Sequence, residues 1–571
     1  MPEPDRIGCK ISRPQMLSSV VRRPAFWLVA CLVVLAAVVR FRALGFGLPH
    51  TQARPDETVV IEAARTLLSG DLPRFYDYPW MYAWVLAVAY LGYFLWGAVN
   101  GTFHSIAEML ASWPVYWAPF FLISRAISAA LGTASVVVIY QLGRRVGDER
   151  TGIVSALFLT FAFMHAGASH FGTTDVTMVF FTLGAVTLIL DAHRTQRPRT
   201  WMAAGLVAGL AAATKYNAVF LAAPVLVSLM VHVASSRDWR QEIFRDRRLL
   251  RFGVPFLLVF LLGVPFVLFD RTPFLQTMGH LARALREGDP RADLSNGWVH
   301  MVTFSLRYGL GLPLLVAGLA GTIVLARANP RVAAILLSFP LAYYGLAGSF
   351  RLLFVRYALP IVPFLCITAA FVVCRTIPYL VRRLDLQPQR VSTVTHAVTG
   401  LVAVAMVWSS ATRIWAFDDV LGRTDNRVLV AQWFVERVPS GSSVLQSGGR
   451  YGLVQFPPDR RAYREWRWDG NRHVFLIHDP GENGRRTTTD ERPDWIIFQD
   501  SPLPSATQDF VKTLLSERYI AVADFRAFTP ASALVYDPLD AFYVPLSGLE
   551  HVLRPGPNFT IYRRQGHASS P

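Results

Sequence analysis

The chain has 571 residues, 53% of them hydrophobic and 13% aromatic, with a mean hydropathy of +0.34; this excludes an ordinary soluble protein and fits a polytopic α-helical membrane protein. Lys and Arg number 56 against 39 Asp and Glu, a formal charge of +17, which in a membrane protein belongs to cytoplasmic loops facing anionic lipid and argues against nucleic acid as a partner. The four cysteines, Cys9, Cys31, Cys366 and Cys374, lie in the N-terminal tail or in apolar segments, so neither a disulfide framework nor a thiolate metal site is visible.

A basic tail, 1–24, leads into an apolar run that starts like a signal peptide but lacks a small-residue cleavage site, and so reads as an uncleaved first span with the tail cytoplasmic. Spanning segments are predicted near 25–44, 119–143, 151–168, 174–191, 199–214, 217–234, 252–269, 307–326, 331–348, 356–374 and 394–414, about eleven in all, or up to about thirteen. Between the first two lies a polar loop, 46–78, carrying Asp56, Glu57, Glu62, Asp71 and Asp77.

The apolar stretch 80–99 decides the topology. If it crosses, the basic turn 144–150 and the basic run 235–251 face outward, against the positive-inside rule. If it lies on the surface or re-enters, the tail and the linkers 144–150, 192–199, 235–251, 327–331 and 375–390 all fall inside. Charge selects the second arrangement. The 46–78 loop, Asp175, Lys215, Arg351, Arg356 and everything after about residue 415 then share the exterior face. Residues 415–571 contain no further span, and alternate helix-like (FVKTLLSERY) and strand-like (PDWIIFQD, NFTIYRR) stretches, which reads as a small exterior α/β domain. Asn558-Phe559-Thr560 matches a glycosylation acceptor, a pattern short enough to arise by chance.

Within the polar loop, Val60, Ala63, Ala64, Leu67 and Leu68 recur at helical spacing with Glu57, Glu62 and Arg65 opposite and Gly70 as the stop, a surface helix. Asp56 at its start suits either an N-cap or a catalytic carboxylate. Asp77-Tyr78-Pro79 closes the loop as a turn before a helix or as a substrate contact. The turns His170 to Asp175 and Thr214 to Asn217 join predicted spans; Asp175 suits a cap or a second carboxylate, and Lys215 could simply snorkel to headgroups. Arg351 and Arg356, with Tyr357, stand at the outer face against the charge trend, which suits phosphate binding, and Arg125 is a weaker candidate of the same kind. His165 and His170 read as ordinary turn residues rather than metal ligands.

Arg54-Pro55-Asp56-Glu57, Glu62-Ala63-Ala64-Arg65, Leu68-Ser69-Gly70-Asp71 and Tyr76-Asp77-Tyr78-Pro79 together resemble the first exterior loop of GT-C membrane glycosyltransferases, in the branch of the protein O-mannosyltransferases and lipid A aminoarabinose transferases. His170-Phe171-Gly172-Thr173-Thr174-Asp175, Ala213-Thr214-Lys215-Tyr216 and Arg356-Tyr357-Ala358-Leu359-Pro360 resemble later landmarks in the same order, so the likeness spans 25–415. It implies a polyprenyl-phosphate-linked sugar donor, inversion at the anomeric carbon, and an essential acid in the first loop, here Asp56, with Asp175 at the second acidic position. Where aminoarabinose transferases carry Glu-Lys-Pro this chain has Asp77-Tyr78-Pro79, which counts against that donor.

On this reading Asp56 takes the proton of an acceptor hydroxyl on a protein, lipid or glycan. Arg356 and Lys215, with Arg351 or Arg125, hold the leaving phosphate. Glu57, Asp77, Tyr78, His170, Tyr216 and Tyr357 are further candidate contacts, and Asp56 and Asp175 are the residues to hold a divalent cation if one is used. The expected home is a bacterial inner membrane, with the 415–571 domain outside. The rival from another class is a transporter or lipid flippase, which predicts ionisable residues at mid-bilayer rather than at span ends.

Overall fold

The computed structural model describes residues 24–566, except 114–116, 235–246, 290–291, 293, 385, 458–462, 470–473, 479–485, 490–491, 502, 504–508 and 532. The predicted cytoplasmic tail and most of the basic run 235–251 thus lie outside the described residues.

Helices follow one another as α1 (Pro24–Phe41), α2 (Pro55–Leu68), α3 (Met81–Val99), α4 (Ile106–Ala111), α5 (Ala118–Val146), α6 (Glu149–Thr160), α7 (Phe163–Ala168), α8 (Thr174–Thr195), α9 (Pro198–Thr214), α10 (Ala222–Val233), α11 (Arg248–Gly263), α12 (Phe266–Phe269), α13 (Arg271–Glu287), α14 (Gly297–Leu310), α15 (Leu312–Ala328), α16 (Pro330–Ala347), α17 (Val362–Val381) and α18 (Pro388–Leu421). Every segment predicted to span is helical over most of its length. Among the described residues eight helical stretches are long and apolar enough to cross a membrane, or nine if α14 and α15, bent by 119°, form one span. Of the three shorter ones, α6, α9 and α11, the last packs one face on α9 and leaves the other exposed; the α9–α11 approach is so close that a Cβ on Gly205 would meet the Phe252 carbonyl oxygen at 2.1 Å.

The bundle has two chemically distinct ends. From Arg125 to Val146, α5 rises about 30 Å at 1.5 Å per residue, one bilayer core. At its far end Arg145 grips Asp191 of α8 through two bonds of 2.7 and 2.8 Å, bringing the basic turns together. At its near end stand Arg125 and, at the start of α8, Asp175. The first half of helix α3 lies beside the first turns of α5. The Trp80 N–H donates to Gly263 O at 2.7 Å, the Tyr82 hydroxyl to Ser124 O at 3.0 Å and the Tyr90 hydroxyl to Phe120 O at 3.0 Å. The chain returns through Trp113, stacked on Phe121 with centroids 5.9 Å apart.

Helix α18 continues to Leu421, past the expected boundary at 415, and hands over to α19 (Asn426–Arg437). Beyond α19 the chain forms a mixed sheet in the order β4-β3-β2-β1-β5-β7-β6, with β1 (Ser443–Gln446), β2 (Arg464–Asp469), β3 (Val474–His478), β4 (Arg486–Thr489), β5 (Trp495–Asp500), β6 (Tyr519–Phe525) and β7 (Asn558–Arg564). Strand β1 runs parallel to β2 and β5; the other pairs are antiparallel. α19 covers one face through Val430 and Phe434 against Val444, Ile497 and Ile561. α20 (Asp509–Arg518) covers the other through Val511 and Leu514 against Leu445 and Ile496. Asn558 is buried in this core and its side-chain carbonyl accepts the N–H groups of Ala527 and Phe528, so it is a structural residue of β7. Between β6 and β7 runs an irregular connection, 526–557. Its Val544, Leu549 and Val552 pack with Phe46, Phe171 and Phe417, joining the sheet domain to the bundle.

Candidate active site

The site begins with two neighbouring carboxylates that diverge. Pro55 occupies the first helical position of α2, where its fixed φ suits the helix and its missing N–H costs nothing. Arg54 is the N-cap and no side chain caps the helix, so Asp56 lies inside the first turn rather than capping it. Successive residues on a helix point about 100° apart. Glu57 therefore turns inward, fully buried, where Arg125 Nε and Nη2 meet its two oxygens at 2.9 and 2.7 Å and the Gly172 N–H donates at 2.7 Å. Arg125 also donates to Leu44 O and Phe46 O at 2.6 and 2.9 Å. Asp56 turns the other way, and its Oδ2 lies 2.7 Å from Arg356 Nη2.

The turn at 169–175 is set by space: a Cβ at Gly172 would meet Ser124 Oγ at 2.1 Å, so only glycine lets α5 approach. Behind it Asp175, in the first turn of α8, receives the Lys215 ammonium at 2.5 Å. Lys215 is the residue at which α9 ends; its extended backbone, φ −152° and ψ 128°, breaks the helix before a 3-10 turn, Tyr216–Leu221. The ammonium stands 5.7 Å from the Tyr78 ring centre and 5.5 Å from that of Tyr357. Tyr78 is held well above the usual phenol range by burial first and by the Asp56 charge second.

A fourth side of the site comes from the 526–557 connection. Asp540 Oδ2 lies 2.7 Å from Arg54 Nη1 and 3.3 Å from Arg356 Nη1. Asp537 accepts the N–H groups of Val355 at 2.7 Å and Leu539 at 3.1 Å. The result is a continuous chain of charges, Arg54, Asp540, Arg356, Asp56, beside the Asp175–Lys215 pair. Burial works to raise the Asp540 carboxyl, but Arg54 and Arg356 outweigh it and hold the group below the usual carboxylate range. Asp537 lacks such partners, and burial, then the Asp540 charge, push it up to about 6. Arg54, Asp175, Arg356, Asp537 and Asp540 border a recess of about 90 Å³ whose remaining wall is largely apolar, including Met164, Phe171, Phe417, Phe542 and Leu546. Asp540 also borders a second recess of about 260 Å³ with Arg450, Tyr451 and Tyr543.

Of the sequence candidates, Asp56, Asp175, Lys215, Arg356, Tyr78 and Tyr357 stand in one cluster. Tyr216 and Asp77 are one step removed: the Tyr216 hydroxyl donates to Tyr76 O at 2.9 Å, and Asp77, half-buried, is raised by burial. Glu57 and Arg125 serve each other. His170 faces Asp418, with Nε2 3.1 Å from its Oδ1, and His165 faces Arg40. Arg351 is exposed beside α13, its backbone N–H bonded to Leu285 O. Arg54, Asp537 and Asp540 were not expected. The available signal was the length of 526–557, since long connections without regular structure are usually functional. A divalent cation does not fit this donor set. Asp56 and Asp175 each already face a basic side chain, and no three His, Cys, Asp or Glu side chains converge among the described residues.

The chain is similar to known proteins in two ways. Residues 120–268 match the family model of the dolichyl-phosphate-mannose-protein mannosyltransferases. ArnT from Cupriavidus metallidurans, in a crystal structure bound to undecaprenyl phosphate, is 16% identical with a TM-score of 0.52 over 96% of this chain and 100% of that one. The same protein in its apo state gives 16% identity and a TM-score of 0.50 over 96% and 98%. No curated protein matches the sequence significantly. The fold is thus the GT-C membrane fold that the sequence resemblance implies, with its small sheet domain included.

Proposed function

We propose that this chain transfers a sugar from a polyprenyl-phosphate donor to an acceptor hydroxyl, with inversion, at the end of the bundle that carries Asp56. The observation that carries the reading is the convergence of the Asp56–Arg356 and Asp175–Lys215 pairs, of which Arg356 and Asp175 border a largely apolar recess. A lipid-linked phosphate needs cations at the depth of the headgroups with an apolar surface next to them, and this cluster supplies both. ArnT bound to undecaprenyl phosphate shares the fold.

In the reaction the acceptor oxygen attacks the anomeric carbon from the face opposite the phosphate, and its proton passes to the Asp56 carboxylate. The bond between the anomeric carbon and the phosphate oxygen breaks, and its electron pair stays with the phosphate. Arg356 and Lys215 stabilise that charge, an effect of roughly 3 kcal/mol per preorganised donor in comparable cases. Arg356 therefore has two tasks, pairing Asp56 before the donor arrives and pairing the phosphate afterwards. Asp175 keeps Lys215 aimed between Tyr78 and Tyr357.

The same reading makes the Asp56 end exterior and the Arg145 end cytoplasmic, by the positive-inside rule. It makes α3 a surface helix, because both ends of the 80–113 segment contact the first turns of α5. A bacterial inner membrane is the proposed home. The test is purified protein in nanodiscs offered a panel of polyprenyl-phosphate sugars, read by thermal shift and by sugar transfer. Stabilisation by at least one donor is expected; none by any would sink the reading.

A further inference from the structure

We propose that Arg54, Arg356 and the backbone N–H of Val355 form the phosphate-binding site, and that Asp537 and Asp540 occupy it until the donor's phosphate displaces them. This rests on the glycosyl-transfer reading above and adds to it both the anion site and its resident competitor. Three donors from two distant parts of the chain converge on one short strap: Arg54 and Arg356 on Asp540, and the Val355 N–H on Asp537. Two guanidinium groups and an oriented N–H are the donor set expected for a phosphate rather than for a single carboxylate.

The match between strap and site is incomplete. Among the described residues neither Arg54 Nε nor Arg356 Nε meets an acceptor, although both atoms are buried. A buried N–H without a partner is costly, and a phosphate offers more acceptor positions than a carboxylate. The strap also carries two negative charges on residues 537 and 540, of which only Asp540 faces the arginines; burial and Asp540 push Asp537 up to about 6. A donor phosphate would take over the arginines without a second, poorly paired carboxylate beside it. As the sugar leaves, the phosphate gains a further charged oxygen, so the site holds its ligand more tightly as the reaction proceeds.

An isolated bridge between Val535 and Ser547 closes the strap's base, and its returning limb is anchored, with Phe542 packed on Phe46, Phe171 and Phe417 and the Tyr543 hydroxyl accepting from Gln499 of β5 at 2.9 Å, which leaves 536–541 as the part that yields. Asp540 borders both recesses, and its withdrawal joins the apolar one to the one lined by Arg450, Tyr451 and Tyr543. Donor binding thus opens the way for the acceptor, which orders the two substrates.

The test uses the full-length protein in nanodiscs, undecaprenyl phosphate as probe and undecaprenol as its uncharged control. Removing the competitor by Asp540→Asn should tighten undecaprenyl phosphate binding about tenfold, because the free site is then fully populated. Arg54→Gln should weaken it by about the same factor, and undecaprenol binding should change in neither. Equal affinities of Asp540→Asn and the unmodified protein would overturn the inference while leaving the proposed function intact. Should that variant fold poorly, hydrogen exchange in the unmodified protein decides. Exchange across 536–541 should quicken with undecaprenyl phosphate and not with undecaprenol, and unchanged exchange overturns the inference. If neither protein binds undecaprenyl phosphate at all, the proposed function falls and this inference with it.

Discussion

Asp56 and Glu57 are adjacent in sequence, yet the helix that carries them gives them opposite tasks, and substitution separates the two. Asp56→Asn preserves shape and hydrogen-bonding atoms but cannot accept the acceptor's proton. Transfer should fall about 10²- to 10⁴-fold, the usual contribution of a general base, while undecaprenyl phosphate still binds. Measuring both on one preparation is essential: loss of binding as well would point to a structural role, and undiminished transfer would remove Asp56 from the mechanism. Glu57→Gln acts on folding instead. It strips the fully buried Arg125 guanidinium of its countercharge, and breaking a buried pair from one side typically costs about 3–5 kcal/mol. A lowered unfolding midpoint is expected, and a wild-type midpoint would show that Arg125 finds other compensation. Asp537 responds to pH. Its folded pKa lies above that of an unfolded aspartate, so the native chain binds the extra proton and this group's contribution falls as pH rises through about 6. Asp537→Asn keeps an acceptor for the Val355 N–H without the charge. Its stabilising effect should be full at pH 7.5 and shrink as pH falls from about 6 toward the unfolded value of about 3.9, below which both states are neutral; a gain of equal size at pH 7.5 and pH 4.5 would refute the assignment.

At the scale of elements, α3 is the sharpest case. Composition alone makes Met81–Val99 a membrane span, and only its contacts and the charge of distant loops argue that it stays on one side. Asn100→Cys should be labelled by an impermeant maleimide from the same side as a cysteine placed at Ser69, which is exposed in the loop before α3. Labelling from the opposite side would show that α3 crosses and would reverse the orientation of everything after it. The other spans were readable because a run of some twenty apolar residues has few alternatives. The bend between α14 and α15 was not, because both arms are equally apolar and the break is a local matter at Gly311, where φ is +84°. Strands β2, β3, β4 and β6 also went unseen. Arg464–Asp469, with its alternating charges and tryptophans, and Arg486–Thr489, mostly threonine, have no clean apolar alternation.

For the molecule as a whole, the sequence suggested a catalytic bundle with a separate exterior domain, whereas the site is shared between them. The bundle half was legible because each of its residues sits at a span end, where charge and turn chemistry stand out against an apolar background. Arg54 was in view inside the Arg-Pro-Asp-Glu motif but had no role until its partner was known. That partner, Asp540, lies 486 residues away in sequence, and no local pattern reports a contact of that range. Deleting 426–571 should therefore do more than remove a binding module. It uncovers Phe46, Phe171 and Phe417, which pack on Val544 and Leu549, and leaves Arg54 without its carboxylate. The truncated protein is expected to aggregate on size-exclusion chromatography and to lose transfer; a monodisperse, active truncation would contradict a shared site.

Glu57 joins α2 to α5 and to the 169–175 turn through one carboxylate that water does not reach. The start of α2, and with it the backbone that carries Asp56, is thereby fixed against α5 and the 169–175 turn. Residues 536–541 belong to no helix or strand, and their hold on the site runs through Asp537 and Asp540. A change of acceptor is expected to come from rewriting the positions between them while those two aspartates and the buried Tyr543 and Val544 stay.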